Sequence, residues 1–263
     1  MNTRGRTLLP LALGGVLLLG SGCEERADRP VARPAAAPSA SAATPSPTAR
    51  DAKAELVAAL QRSQRVPHRY AVQGDLPEGQ RVKASGAFDP KARRFAATAE
   101  VTGGGKARES GRRIVIGTDS YLRPTGDRQW VHLDLKRVKP GGLMDFDMKD
   151  PTGLVAFTQR VTSAKLTAPG TYSGTFDVVQ SGIDPYLPVG APSVVWFGGG
   201  DADFTITTDA QGWVTSIRVV LEPTGKPKLT MTTRLSGHGK PTGITRPSKS
   251  STAEAADFYY DKT

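Results

Sequence analysis

Apolar side chains recur at every second position along several short segments, and this spacing constrains the fold more than any other feature of the chain. In residues 94–101, for example, Phe95, Ala97, Ala99 and Val101 fall on one face of an extended segment. Similar segments are residues 82–88, 112–116, 121–122, 130–135, 165–168, 172–178, 204–208, 213–221 and 229–235. Glycine- and proline-containing links separate them. The pattern therefore predicts an antiparallel sheet built largely from hairpins.

Two segments carry helical spacing instead. The first, residues 51–65, follows the capping residue Asp51, and the second, residues 151–161, follows Asp150 with Pro151 at its first position. Their apolar faces carry Leu56, Ala59, Leu60 and Ser63 in the first and Leu154, Phe157 and Val161 in the second. We expect both faces to pack against the sheet.

The N-terminus has the organisation of a secretory signal. Two arginines, Arg4 and Arg6, precede an apolar run over residues 8–19, and small residues follow. A run of about twelve residues is too short for a bilayer core, which needs about 20. Residues 1–22 are therefore predicted to be a signal peptide rather than a transmembrane helix.

Cys23 is the only cysteine and follows the signal directly. Its position resembles a bacterial lipobox, in which the thiol receives a diacylglycerol, although Gly20 stands where leucine is usual. An ordinary signal peptide with an incidental cysteine is the alternative. A lipidated Cys23 leaves no thiol for a disulfide or a metal site, so the domain must rest on its apolar core.

Residues 23–50 are predicted to form a lipidated, disordered tether. Alanine, proline, serine and threonine dominate, and Val31 is the one large aliphatic residue. Such a segment buries too little apolar surface to offset the entropy lost on ordering. The chain is therefore expected to sit on the extracytoplasmic face of a cell membrane, anchored through its N-terminal lipid.

The chain is basic, with a net charge of +10. This excess favours association with anionic surfaces such as phospholipid headgroups or wall polymers. A solvated basic surface explains it equally, because the basic residues are spread along the chain without a polybasic cluster. Since the chain is predicted to be exported, we expect no nucleic-acid partner, and we expect a monomer.

The order of elements resembles the mycobacterial lipid-carrying lipoproteins of the LppX/LprG type, relatives in shape of the periplasmic lipoprotein carriers. The likeness spans residues 51–247, and its closing phrase, residues 235–247, looks like the last strand of that family. It implies an α+β fold: a strongly curved antiparallel half-barrel sheet with helices covering its concave face. Residues 248–263 are expected to form a flexible tail.

The resemblance further implies a hydrophobic cavity that binds acyl chains of lipids or glycolipids. Period-two faces and the second helix supply the expected lining: Phe95, Ala97, Val131, Leu133, Leu154, Phe157, Val161, Phe204, Ile206, Ile217, Val219, Leu229 and Met231. The same side chains would equally make a plain filled core. Residues 182–200, rich in proline and glycine, are either a rim or lid of the cavity or an ordinary packed loop.

No catalytic or metal-binding pattern emerges from the sequence. The histidines, His68, His132 and His238, share no metal-ligand spacing and are expected at the surface. Three acidic residues precede the second helix, Asp145, Asp147 and Asp150. They lack the remaining ligands of a calcium loop, so we expect them to form a solvated turn. We therefore expect a protein without enzymatic activity, cofactor or metal.

Two functions fit these features. The first is a lipid carrier that shields acyl chains in its cavity. The second is a non-enzymatic envelope lipoprotein that binds or regulates a protein or cell-wall partner and carries no lipid. A continuous apolar cavity would favour the carrier, whereas a filled core with an exposed apolar patch would favour the binding module.

Overall fold

Twelve strands form one open sheet in the part of the chain that the computed structural model describes, residues 51–124, 126–140, 144–178, 201–222, 225 and 227–260. Two α-helices accompany it. The elements are α1 (Ala52–Gln64), β1 (His68–Asp75), β2 (Gln80–Asp89), β3 (Arg94–Gly103), β4 (Glu109–Ile116), β5 (Asp119–Pro124), β6 (Trp130–Asp134), α2 (Leu154–Arg160), β7 (Val161–Ala168), β8 (Thr171–Asp177), β9 (Asp201–Thr208), β10 (Val214–Leu221), β11 (Leu229–Ser236) and β12 (Thr252–Glu254).

The order across the sheet is β12-β6-β5-β4-β3-β2-β1-β11-β10-β9-β8-β7. Every neighbouring pair is antiparallel except β12 and β6, which are parallel. Hairpin connections place most sequential strands side by side, and the chain closes the centre of the sheet by pairing β1 with β11. The prediction of a mostly antiparallel sheet with two helices is confirmed.

Helix α1 forms where its sequence pattern places it. The carboxylate of Asp51 accepts hydrogen bonds from the backbone N–H groups of Lys53 (3.0 Å) and Ala54 (3.1 Å), which caps the first turn. The predicted apolar face is the buried face, with Leu56 and Leu60 fully enclosed. The helix therefore contributes one continuous apolar stripe to the interior.

Helix α2 begins later than the sequence predicted. Residues 151–153 form a turn, and Gly153, with φ 68°, precedes the first helical residue, Leu154. The Asp150 carboxylate still reaches the helix, accepting from the N–H groups of Val155 (3.1 Å) and Ala156 (2.8 Å). Val161, expected on the helix, is instead the first residue of β7, because the helix ends at Arg160.

Strand β1 is an element that the sequence analysis missed. It lies between β2 and β11, and its side chains Tyr70 and Val72 are buried on the core side while Arg69 and Ala71 face outward. Because β1 joins the two hairpin series, it is central to the sheet rather than a loop after Pro67.

The C-terminal residues also differ from expectation. The prediction of a flexible tail is wrong for residues 248–260, because Thr252–Glu254 pairs with β6 and the Tyr260 ring is buried. Residues 237–247 contain no strand either, so the closing phrase is not a continuation of β11. Instead its carbonyl groups at Thr242 and Ile244 accept hydrogen bonds from Arg69 and Arg94 on the sheet.

Neither described helix combines the length and apolar character that a bilayer span requires. The predicted signal peptide and tether lie in residues 1–50, outside the described residues. Their assignment, and that of Cys23, therefore stays a prediction.

Candidate functional site

One apolar cluster joins the helices to most of the sheet, and we call it the interior cluster. It holds the predicted lining residues of α2, β3 and β7 together with those of β9, β10 and β11: Phe95, Ala97, Leu154, Phe157, Val161, Phe204, Ile206, Ile217, Val219, Leu229 and Met231. All are buried except Ala97, which is half-buried. The period-two patterns of these strands therefore identified the inward face correctly.

Three phenylalanines of the interior cluster contact one another. The ring of Phe157 on α2 lies 5.0 Å from that of Phe176 on β8 and 5.8 Å from that of Phe204 on β9, measured between centroids. Their tilted and edge-to-face arrangements are the favourable geometries for aromatic pairs. Helix α2 is thus held to the β8–β9 half of the sheet by aromatic contacts.

Val131 and Leu133 do not join this cluster, contrary to the sequence prediction. They belong to a second cluster, which is built around Leu133, Val138 and Tyr260. The alternation on β6 gave the correct face, but alternation cannot tell which part of a wide sheet a strand covers. Both residues therefore belong to a different cluster from the other predicted lining residues, and the half-buried Leu135 packs against both clusters.

A partly buried guanidinium lies on the inward face of β4, beside the strands that carry the second cluster. Arg113 faces inward, and its guanidinium carbon lies 4.2 Å from the Phe146 ring centroid. It donates to the carbonyl oxygen of Met144 (2.9 Å) and to the hydroxyl of Ser120 (3.1 Å). Burial lowers the pKa of Arg113 to about 10, so the group stays charged at neutral pH.

Several interior residues were absent from the predicted lining. Tyr70 and Val72 were missed because β1 itself was missed. Phe176 lies on the same face as Tyr172 in a segment that was recognised as a strand. A consistent reading of the parity of every strand would have found Phe176. The helical residues Leu56 and Leu60 were placed on an apolar face but not assigned to the site.

The described surface carries grooves, but their lining differs from the predicted one. Ala97 borders a groove of about 510 Å³ and Phe204 another of about 560 Å³, and the other residues of both grooves are mostly polar or small. Residues 182–200, the predicted rim or loop, lie outside the described residues. The side chains of the interior cluster are nearly all buried where the structure describes them.

The histidines occupy three distinct environments. His68 is buried, so its expected surface position is wrong. Burial lowers the pKa of its ring. In the tautomer that carries its proton on Nδ1, the ring donates to the Val66 carbonyl oxygen at 3.0 Å. Its ring lies 6.2 Å from that of His238, whose pKa is also lowered by burial. In the described residues no group of three or more histidine, cysteine or acidic side chains is arranged to hold a metal ion.

His132 lies on the outward face of β6 and joins the sheet to the C-terminal segment. Its Nδ1 lies 2.9 Å from an oxygen of Glu254, and its Nε2 lies 3.1 Å from an oxygen of Asp119. Partial burial acts to lower the pKa of His132, but the hydrogen bonds to Glu254 and Asp119 outweigh it and raise that pKa. The two carboxylates therefore stabilise the charged imidazolium relative to the neutral ring.

The comparisons with known proteins give distant structural similarities. No family model and no curated protein matches the sequence. An uncharacterised conserved protein from Thermus thermophilus is 13% identical, with a TM-score of 0.42, over 77% of this chain and 98% of that one. A LolA superfamily protein from Nitrosomonas europaea is 10% identical, with a TM-score of 0.24, over 78% and 99%.

A porin-like protein from Bacteroides uniformis is also 10% identical, with a TM-score of 0.25, over 64% of this chain and 96% of that one. The structural neighbours thus include a LolA superfamily protein. The LppX/LprG type proposed from the sequence stays a prediction.

Proposed function

We propose that this chain is an extracytoplasmic lipoprotein that is anchored through Cys23 and holds acyl chains of a lipid or glycolipid between its sheet and its helices. The observation that carries the proposal is the interior cluster, in which both helices and most of the strands share one apolar face. Acyl chains require apolar walls and no particular polar group, so such a face is chemically sufficient.

Inward-facing glycines support a curved, half-barrel form of the sheet. A Cβ atom on Gly86 would lie 2.0 Å from the Ala96 carbonyl oxygen, and one on Gly174 would lie 2.0 Å from the Ser163 carbonyl oxygen. Neither position can accept a side chain without movement of the backbone. Glycines in strand interiors commonly mark sharp bends, so we place α1 and α2 on the concave side that these bends create.

The deep burial of the interior side chains favours the second function to a comparable degree. Phe157, Phe176 and Ile206 have 0% exposed surface, as expected of a finished core. A carrier would have to separate α2 from the sheet before an acyl chain could enter. If it cannot, the chain is better described as a non-enzymatic envelope module for a protein or cell-wall partner.

A pair of identical substitutions separates the two functions. Leu154 in the interior cluster and Leu133 in the second cluster are both buried, so replacement of either by tryptophan overpacks its surroundings and should cost about 1–3 kcal/mol of stability. In a carrier, Leu154→Trp should also abolish uptake of a fluorescent fatty acid, whereas Leu133→Trp should leave uptake unchanged.

Both variants would be measured as full chains by fluorescence titration and by chemical denaturation. Equal uptake by Leu154→Trp and the wild type would remove the interior cluster as the binding site. Absence of uptake by the wild type would leave the binding module as the better description.

A further inference from the structure

The outward face of the central strands gathers arginines that are far apart in the sequence. Arg69 on β1, Arg94 on β3, Arg112 on β4 and Arg123 on β5 alternate with inward-facing side chains, so all four point away from the interior cluster. A groove of about 510 Å³ lies on this face, lined by Arg69 and Arg112, Trp130 and residues 242–245 among others. We call it the arginine groove.

None of the four arginines is neutralised by a carboxylate in the described part of the chain. Arg69 donates to the Thr242 carbonyl oxygen (2.9 Å) and Arg94 to that of Ile244 (3.1 Å). The guanidinium carbon of Arg123 lies 4.6 Å from the Trp130 ring centroid. Arg112 is exposed, and no polar group of the described residues engages its guanidinium.

Two acids on this face, Glu100 and Asp119, are already paired with other cations. A third, Asp89, lies opposite Arg94, accepts from the N–H group of Ala92 and is not part of the groove lining. Glu100 binds Arg108 at 2.7 Å. Asp119 binds Arg246 at 2.5 Å and also contacts His132. Their charges are therefore largely cancelled where they stand, and the groove keeps an uncompensated positive potential.

The remaining walls fit a phosphate group with an apolar neighbour. The strand residues Ser85, Ala87 and Thr98 are small, which lets a ligand approach the sheet, and the hydroxyl groups of Ser85 and Thr98 can donate hydrogen bonds. Guanidinium forks bind phosphate oxygens in pairs. Trp130 and Ile114 offer apolar surface beside the guanidinium groups, as the glycerol portion of a lipid headgroup would need.

We propose that the arginine groove is a binding site for a phosphate-bearing anion, with the headgroup of an anionic glycerophospholipid as its source. Arg69 and Arg112 point away from the interior cluster, so anion binding by their guanidinium groups should be independent of acyl-chain uptake. Occupied by a membrane headgroup, it would hold this face of the sheet against the bilayer surface.

The test compares three probes on the full chain by titration calorimetry: water-soluble short-chain phosphatidylglycerol, short-chain phosphatidylcholine and inorganic phosphate. Arg112→Gln removes one guanidinium fork that has no structural partner, so it should fold normally and weaken phosphatidylglycerol binding about tenfold. Arg112→Lys keeps the charge without the fork, so its affinity for phosphatidylglycerol should lie between those of the wild type and Arg112→Gln. Arg218→Gln, on the outward face of β10, loses the same charge outside the groove and should bind like the wild type.

The probes distinguish the source of the phosphate. Binding of phosphatidylglycerol and not of phosphatidylcholine identifies the anionic headgroup, and equally tight binding of inorganic phosphate identifies a free phosphate; in either case only Arg112→Gln should weaken it. Equal weakening by Arg112→Gln and Arg218→Gln would reduce the effect to net charge and overturn the site. Indifference to the headgroup, with Leu154→Trp abolishing binding, would assign all the lipid binding to the interior and also overturn it.

Discussion

His68 and His132 respond to their surroundings in opposite ways, and the difference arises from what surrounds each ring. His68 is enclosed among apolar groups and faces His238, so burial lowers its pKa. His132 is held between Glu254 and Asp119, whose hydrogen bonds raise its pKa in spite of partial burial. Each ring therefore contributes stability in a different pH range.

For His68 we expect stability to fall on acidification. The neutral ring is favoured in the fold, so its contribution is complete above the ordinary histidine pKa of 6.5 and is lost as the pH falls through its lower folded pKa. Each titrating group can change the free energy of unfolding by at most about 1.4 kcal/mol per pH unit. Denaturation curves between pH 8 and pH 5 should show a steeper loss for the wild type than for His68→Leu. Parallel losses would show that the buried ring does not control acid stability.

At the scale of elements, the position of the C-terminal segment 252–260 depends on contacts with distant residues, which the sequence of the segment itself does not predict. Strand β12 has three residues and is polar, and it is ordered by pairing with the edge of β6. His132 adds a charged link to Glu254, and Tyr260 fills the second cluster. The segment should therefore open more readily than the central strands.

We expect this segment to loosen as the pH rises. The charged His132 contributes below pH 6.5, and that contribution is lost as the pH rises through the raised folded pKa. Because Glu254 is mostly exposed, the effect should be about 0.5 kcal/mol. Hydrogen exchange of residues 252–260, corrected for intrinsic rates, should be faster at pH 8 than at pH 6 in the wild type.

Two variants check the cause of that difference. Glu254→Gln should remove most of the pH dependence. Asp257→Asn loses a carboxylate from the same segment, paired with Arg137 rather than with His132, and should retain the dependence. A pH difference that survives in Glu254→Gln would show that His132 does not hold the segment.

The sequence predicted those elements whose own residues carry a clear pattern of alternation, capping or apolar spacing. Strands such as β3 and β10 have continuous alternation, and α1 has both a cap and an apolar stripe, so each could be placed from its own residues. The start of α2 could not, because the favourable Asp150 and Pro151 are followed by a left-handed Gly153. Strand β12 could not either, since its pairing partner lies over a hundred residues away.

The candidate site shows the same division. Parity along each strand placed most of the interior residues on the correct face, yet it could not assign Leu133 to a separate cluster. The arginine groove could not be predicted from the sequence for a related reason. Arg69, Arg112 and Arg123 look dispersed in the sequence, and only the order of β1 to β5 in the sheet brings them to one face.

For the whole molecule, membrane attachment that resists washes with high salt and carbonate should depend on Cys23 alone. It is the only residue that can form the thioether of a lipoprotein, so Cys23→Ala should prevent lipidation. The variant should leave the membrane fraction after washes with high salt and carbonate, while the wild type stays. Retention of Cys23→Ala through both washes would show that the chain is not held by a lipid at this position.

The central claim is that acyl chains occupy the space between the sheet and the helices. The most direct measurement is mass spectrometry of the purified full chain, recorded under native conditions and again after denaturation, because only non-covalent cargo is lost between the two. The proposed carrier should show a native mass greater than the denatured mass by the mass of a lipid. Identical masses, in a protein purified from its own membrane, would contradict lipid carriage and leave the interior cluster as a core.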